Sequence, residues 1–151
     1  MKQDRVNLDS SVGYALKQAA AALRGAMDAA LRPLGLGVPQ YACLELLGQR
    51  PDLSAAELAR GAFVTRQSMH AVLQGLQDRG LLTRPATAPR GRALPTRLTE
   101  EGVDLLHRAS RAVADVERRM LRHLAPGEAE RLREQLTACA AALAAEETTE
   151  E

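Results

Sequence analysis

The chain has 151 residues, 46% of them hydrophobic and 26% charged, with a formal net charge of +1. That is one domain of ordinary size with enough apolar content to fold, which excludes wholesale disorder. Two distant cysteines, Cys43 and Cys139, exclude a disulfide-stapled scaffold and a cysteine-based zinc finger, and no apolar run is long enough to span a membrane.

Residues 1–10 are polar and charged, so no secretory signal is expected, and a cytoplasmic protein is. By count, 28 Ala and 24 Leu stand against three aromatics, Tyr14, Tyr41 and Phe63. This excess of helix formers over strand formers predicts a mainly α protein. A first helix is expected over residues 11–31, with apolar residues at Val12, Leu16, Leu23, Met27 and Leu31, a serine cap, and Pro33 and Gly35 to end it. A second helix starts near Pro39, carries Cys43, Leu46 and Leu47, and stops before Gly48. Ser54 and Glu57 have capping-box spacing for a short third helix that Gly61 ends. Thr65 caps a fourth, which buries Met69, Val72, Leu73 and Leu76 and meets Gly80 at its end.

Over residues 81–98 the helical period disappears, and Pro85, Pro89 and Pro95 forbid a continuous helix. A small hairpin around Arg90-Gly91-Arg92 is the natural reading. Thr99 then caps a long helix with a stripe from Val103 to Leu124. After Pro126-Gly127 a last helix carries Leu132, Leu136, Cys139 and Leu143 at coiled-coil spacing.

The central stretch is thus helix, turn, helix and basic hairpin. Two short helices joined by residues 61–64 make a helix-turn-helix, whose second helix enters the DNA major groove. With Met69, Leu73 and Leu76 inward, that helix presents Arg66, Gln67, His70, Ala71 and Gln74 outward. Arginine pairs bidentately with guanine and glutamine with adenine. Thr65 and Ser68 suit a phosphate at the positive helix end, and Ser54 and Arg84 join the expected contact set. The charges agree in position. Over residues 60–97 there are seven arginines and one acid, Asp78, so this segment carries +6 and the rest of the chain −5. Such a patch is the footprint expected for a double-stranded DNA partner; on charge alone the alternative is a solvated arginine surface, and its coincidence with the helix-turn-helix favours DNA.

The order of elements resembles the multiple-antibiotic-resistance regulator (MarR) family of winged-helix repressors. The resemblance rests on Leu53-Ser-Ala-Ala-Glu-Leu-Ala-Arg60, Thr65-Arg-Gln-Ser-Met69, Leu73-Gln-Gly-Leu-Gln-Asp-Arg-Gly-Leu-Leu82 and Arg97-Leu-Thr-Glu-Glu-Gly102. It implies a mainly α fold: a winged helix-turn-helix with a small β-hairpin wing over residues 38–98, and dimerisation helices over 1–37 and 99–151. It also implies a homodimer on a palindromic operator, released by a small ligand or by thiol oxidation. Arg92 matches the family's minor-groove arginine and Arg90 sits one position off its partner; the acidic residue usual at the wing tip is missing. In the family, phenolic or aromatic acids bind where the dimer helices meet the winged lobe, and Tyr14, Lys17, Arg24 and Tyr41 are the matching candidates here. Cations beside aromatic rings suit an anionic aromatic ligand. The alternative is that the tyrosines are core residues and Lys17 is solvated.

A thiol-redox repressor using Cys43 and a winged helix that only binds protein are the competing readings. Against the first, both cysteines sit among apolar residues and are expected to be buried and inert. Against the second stands the arginine cluster. No Gly-rich phosphate loop, Gly-x-Ser-x-Gly or His-Glu-x-x-His motif is present, so no enzyme is expected. His70, His107 and His123 lack metal-ligand spacing, and neither metal nor cofactor is expected.

Overall fold

The computed structural model describes residues 5–84 and 96–147. Among these residues six α-helices and one two-stranded antiparallel sheet follow in the order α1 (Val12–Leu31), α2 (Val38–Gln49), α3 (Ala55–Gly61), α4 (Arg66–Asp78), β1 (Leu82–Thr83), β2 (Arg97–Leu98), α5 (Glu100–Leu121) and α6 (Glu128–Glu147). The fold is the expected one, a mainly α winged helix-turn-helix with added helices at both ends. The chain divides into two compact units after Val116.

In the first unit the caps are where the sequence places them. Ser11 accepts from the Tyr14 amide at 3.1 Å and Thr65 from the Ser68 amide at 3.0 Å, each satisfying a donor that the first helical turn leaves orphaned. Ser54 accepts from the Glu57 amide, but its hydroxyl donates to the Glu57 carboxylate at 3.0 Å, in place of the reciprocal backbone bond of a capping box. α4 ends on Gly80 at φ +74°, with bonds from Gly80 N to Gln77 O and from Leu81 N to Leu76 O. This is a Schellman turn, and the left-handed residue in it is normally glycine.

The core is built from one face of each element: Leu31, Cys43, Leu44, Leu47, Leu58, Met69, Leu73, Leu76 and Leu82, closed by Leu105, Leu106 and Ala109 of α5. α4 buries Met69, Leu73 and Leu76 as expected, with Val72 half-buried. Full burial of one such leucine is worth about 1.5–3 kcal/mol, so this set fixes how the helix-turn-helix is held. α3 ends on Gly61 as expected, where a Cβ would lie 2.9 Å from Leu46 Cδ1, so glycine eases the approach of that side chain; the left-handed residue comes two positions later, at Phe63.

The hairpin base pairs Leu82 with Leu98 and Thr83 with Arg97. Residues 85–95, including Arg90, Arg92 and Pro95, lie outside the described residues. Below the hairpin, Thr99 organises the start of α5. Its amide bonds Leu81 O at 3.1 Å, its hydroxyl donates to Gly80 O at 2.6 Å and accepts from Gly102 N at 3.1 Å. The Arg97-to-Gly102 motif is therefore a clamp that ties the wing base to the end of α4.

The second unit holds the last turn of α5 and α6. The Ala125 amide donates to the Glu128 carboxylate at 2.9 Å, which starts α6 after Pro126-Gly127. A groove of about 400 Å³ is lined by Met120, Leu121, Leu132 and Leu136 among others. No residue of α6 from Glu128 to Ala145 is buried, and Cys139 is exposed. The expectation of a buried Cys139 is thus corrected. The apolar stripe of α6 is present, and Leu132, Leu136 and Leu143 on it are exposed.

Candidate nucleic-acid interface

α4 turns a polar face to solvent. Met69, Leu73 and Leu76 hold α4 against the core, so helical geometry turns Arg66, Gln67, His70, Ala71 and Gln74 outward, and all five are exposed. Arg66, Gln67 and His70 make no side-chain hydrogen bond among the described residues. Their donors and acceptors are therefore available to a ligand without breaking an internal bond. The others are engaged. Thr65 Oγ1 donates to Ser68 Oγ at 2.9 Å, and Gln74 Nε2 donates to Asp78 at 2.8 Å. Ser54 bonds Glu57 at the start of α3, away from this group in sequence.

Arg84 is placed differently from a free surface cation. It is half-buried, and its Nε donates to Gln77 Oε1 at 3.3 Å. Its charge also reaches Cys43, pulling that thiol downward, but burial dominates and pushes Cys43 up to about 12. A buried thiol that stays protonated is a poor nucleophile toward peroxides, so the geometry gives no support to redox sensing at Cys43. Arg79 is fixed as well, donating to Gly35 O at 2.8 Å. Arg60, Arg66 and Arg97 remain exposed.

Of the four effector candidates, Tyr14, Lys17 and Arg24 are exposed along α1, where Arg24 pairs with Asp28 at 3.7 Å. Tyr41 belongs to another group. It is half-buried against the core and donates to Glu45. Glu45 also accepts from Gln49 at 2.6 Å and from Ser110 of α5 at 2.6 Å. Sequence reasoning missed this tie between α2 and α5, although Tyr41, Glu45 and Gln49 are spaced four apart on one helix face. Burial raises the Glu45 pKa, but the bonds from Ser110, Gln49 and Tyr41 and the nearby His107 outweigh it and hold the carboxyl below its ordinary 4.5. A carboxylate depressed in this way stabilises the fold fully above its unfolded pKa, and that stability disappears as pH falls through the folded value. Glu45→Gln is therefore expected to lower the melting temperature at neutral pH and to flatten its fall below pH 4.5. Thermal melts of both proteins at a series of pH values check this; parallel curves would refute it.

Residues 34–93 match the family model described as MarR family. The chain is 47% identical over 116 residues to the HTH-type transcriptional repressor Rv2887 of Mycobacterium tuberculosis, covering 77% of this chain and 84% of that protein. The chain belongs to the MarR family. The MarR-family regulators are DNA-binding proteins and not enzymes. The crystal structure of Rv2887 with salicylic acid superposes with a TM-score of 0.72 at 42% identity, over 87% of this chain and 97% of that one. Its crystal structure with DNA gives 0.72 at 42% identity, over 85% and 98%. The clamp at Thr99 and the exposed face of α4 are thus set in a MarR-family fold whose relative has been crystallised with DNA and, separately, with salicylic acid.

Proposed function

We propose that this MarR-family chain is a homodimeric, sequence-specific repressor whose hold on a palindromic operator is loosened by a small aromatic acid. The observation that carries the reading is the outward face of α4. Arg66, Gln67 and His70 project side chains that have no hydrogen-bond partner among the described residues from the first turns of the helix, within a segment of net charge +6. Residues 38–98 form the DNA-binding region in this reading, and residues 1–37 and 99–151 the dimerisation region. Arg66 and Gln67 read base edges, with His70 and Gln74 beside them. Thr65, Ser68 and Ser54 sit at helix starts, where amides favour phosphate. Arg84 supports the wing base, and Arg90 and Arg92 supply the wing's cations.

The dimer follows from the terminal helices. Val12, Leu16, Leu132, Leu136 and Leu143 are exposed in the single chain, Leu143 by 70%. A second copy is the economical cover, and two-fold symmetry in the protein matches two-fold symmetry in an operator. No helix among the described residues is long and apolar enough to cross a membrane; the operator-binding reading carries a cytoplasmic location with it.

The effector reading is supported by the salicylic acid complex of the Mycobacterium relative. Tyr14, Lys17 and Arg24 are its candidate contacts on α1, with Tyr41 reached by breaking its bond to Glu45. Salicylate at millimolar concentration is expected to raise the melting temperature, because a ligand that binds only the native state stabilises it. The same concentration is expected to release a duplex covering the region upstream of the protein's own gene in a mobility-shift assay. A melting temperature and a shift both unmoved by salicylate would remove the aromatic acid from the account.

A further inference from the structure

Large exposed hydrophobic side chains on the described residues fall almost wholly on the N-terminal segment and α1, α5 and α6: Val6, Leu8, Val12, Tyr14, Leu16, Val103, Met120, Leu132, Leu136 and Leu143. The exception is Phe63, in the turn of the helix-turn-helix, which is 94% exposed. A second copy covering the terminal helices accounts for the others, but Phe63 belongs to the opposite functional element.

Its backbone is as unusual as its exposure. Phe63 has φ +58° and is the single non-glycine residue with positive φ among those described. The turn is a Schellman motif: Phe63 N bonds Arg60 O at 3.3 Å and Val64 N bonds Ala59 O at 3.0 Å. Phe63 therefore holds the position that glycine takes most often, and the same motif at the end of α4 does have glycine, Gly80. A Cβ in the left-handed region is strained, and an aromatic ring in water gains nothing from the fold. The chain thus keeps a strained backbone and an unburied ring at one site, a combination that marks function more often than packing.

We propose that Phe63 is a DNA-contacting residue, whose ring packs on a deoxyribose or a thymine methyl at the margin of the major-groove contact. The proposal rests on the operator-binding reading above. Phe63 stands two residues before Thr65, the cap of α4, and three before Arg66. It is therefore adjacent in the chain to the face assigned to the duplex, with exposed Arg60 three residues before it and exposed Arg66 three residues after. Apolar side chains, phenylalanine among them, read the thymine methyl in this way. Cations on both sides favour a polyanion over an apolar protein partner.

Full-length wild type, F63G, F63N and F63Y are titrated against a duplex covering the region upstream of the protein's own gene, and their melting temperatures and dimer dissociation are measured. F63G is expected to melt about 2–4 °C higher, through relief of the left-handed strain, yet to bind about 5- to 10-fold more weakly, through loss of apolar contact. F63N, which tolerates the same backbone, weakens binding alike, and F63Y restores it. The salt dependence of binding stays that of wild type, because an apolar contact releases no counterions. Wild-type affinity in F63G and F63N overturns the proposal and leaves the ring to a protein partner. Weakened dimers with unchanged duplex affinity per dimer overturn it in favour of a covering second copy. Failure of wild type itself to bind the duplex removes the operator reading and the role of Phe63 with it, so the two failures are distinct.

Discussion

Gly102→Ala is expected to destabilise the protein by about 3 kcal/mol and to lower its melting temperature by about 6–12 °C. A Cβ at Gly102 would stand only 2.0 Å from Leu81 O, and the obstacle is backbone, which cannot rotate away. Relief requires the start of α5 to move off the end of α4. That movement breaks the Thr99 bonds to Leu81 O and Gly80 O and withdraws the base of the wing. Gly75→Ala in the interior of α4 is the matched control. Nothing lies within 4 Å of its Cβ position, so better helix propensity should stabilise by about 1 kcal/mol. Thermal melts of the two variants check the contrast. A Gly102→Ala protein that melts with wild type would show that α5 is free to shift and that the clamp is not one.

Arg66→Ala is expected to weaken operator binding by about 1–3 kcal/mol while leaving the melting temperature unchanged. Its side chain is exposed and has no internal partner among the described residues, so its removal takes nothing from the fold. Gln67→Ala should act on selectivity, relaxing preference at one base position per half-site. Arg97→Ala on the hairpin should weaken all duplexes alike and reduce the salt slope by about 1, as loss of a phosphate contact does. Competition titrations with single-base operator variants separate these outcomes. An unchanged base profile for both Arg66→Ala and Gln67→Ala would take α4 out of base readout.

The parts of this structure written locally were legible in the sequence. Ser11, Thr65 and Thr99 announce helix starts because a hydroxyl three residues before an amide is a self-contained device. The buried stripe of α4 follows from helical period alone, and with it the outward set Arg66, Gln67 and His70. What escaped depends on distant neighbours. Glu45 finds Ser110 across 65 residues of chain, and no spacing encodes that meeting. Arg84 reads as a surface cation, but it folds back onto Gln77. Gly61 does end α3, but the left-handed residue that turns the chain is Phe63, a residue type that gives no such signal. The stripe of α6 was legible from its period, but the exposure of Cys139 upon it was not. Net charge is a poor guide for a related reason: a total of +1 sums +6 over residues 60–97 and −5 elsewhere, and only position along the chain separates the two.

The central claim is that the exposed face of α4 reads a particular DNA sequence. Fluorescence-anisotropy titration of the full-length protein tests it, using the duplex upstream of its own gene and a scrambled duplex of equal length, across a range of salt. The account predicts specific binding tighter than the scrambled duplex by roughly 10³-fold or more, with affinity for both falling steeply as salt rises. Equal affinity for the two duplexes would reduce the arginine patch to a nonspecific polyanion surface and contradict the account.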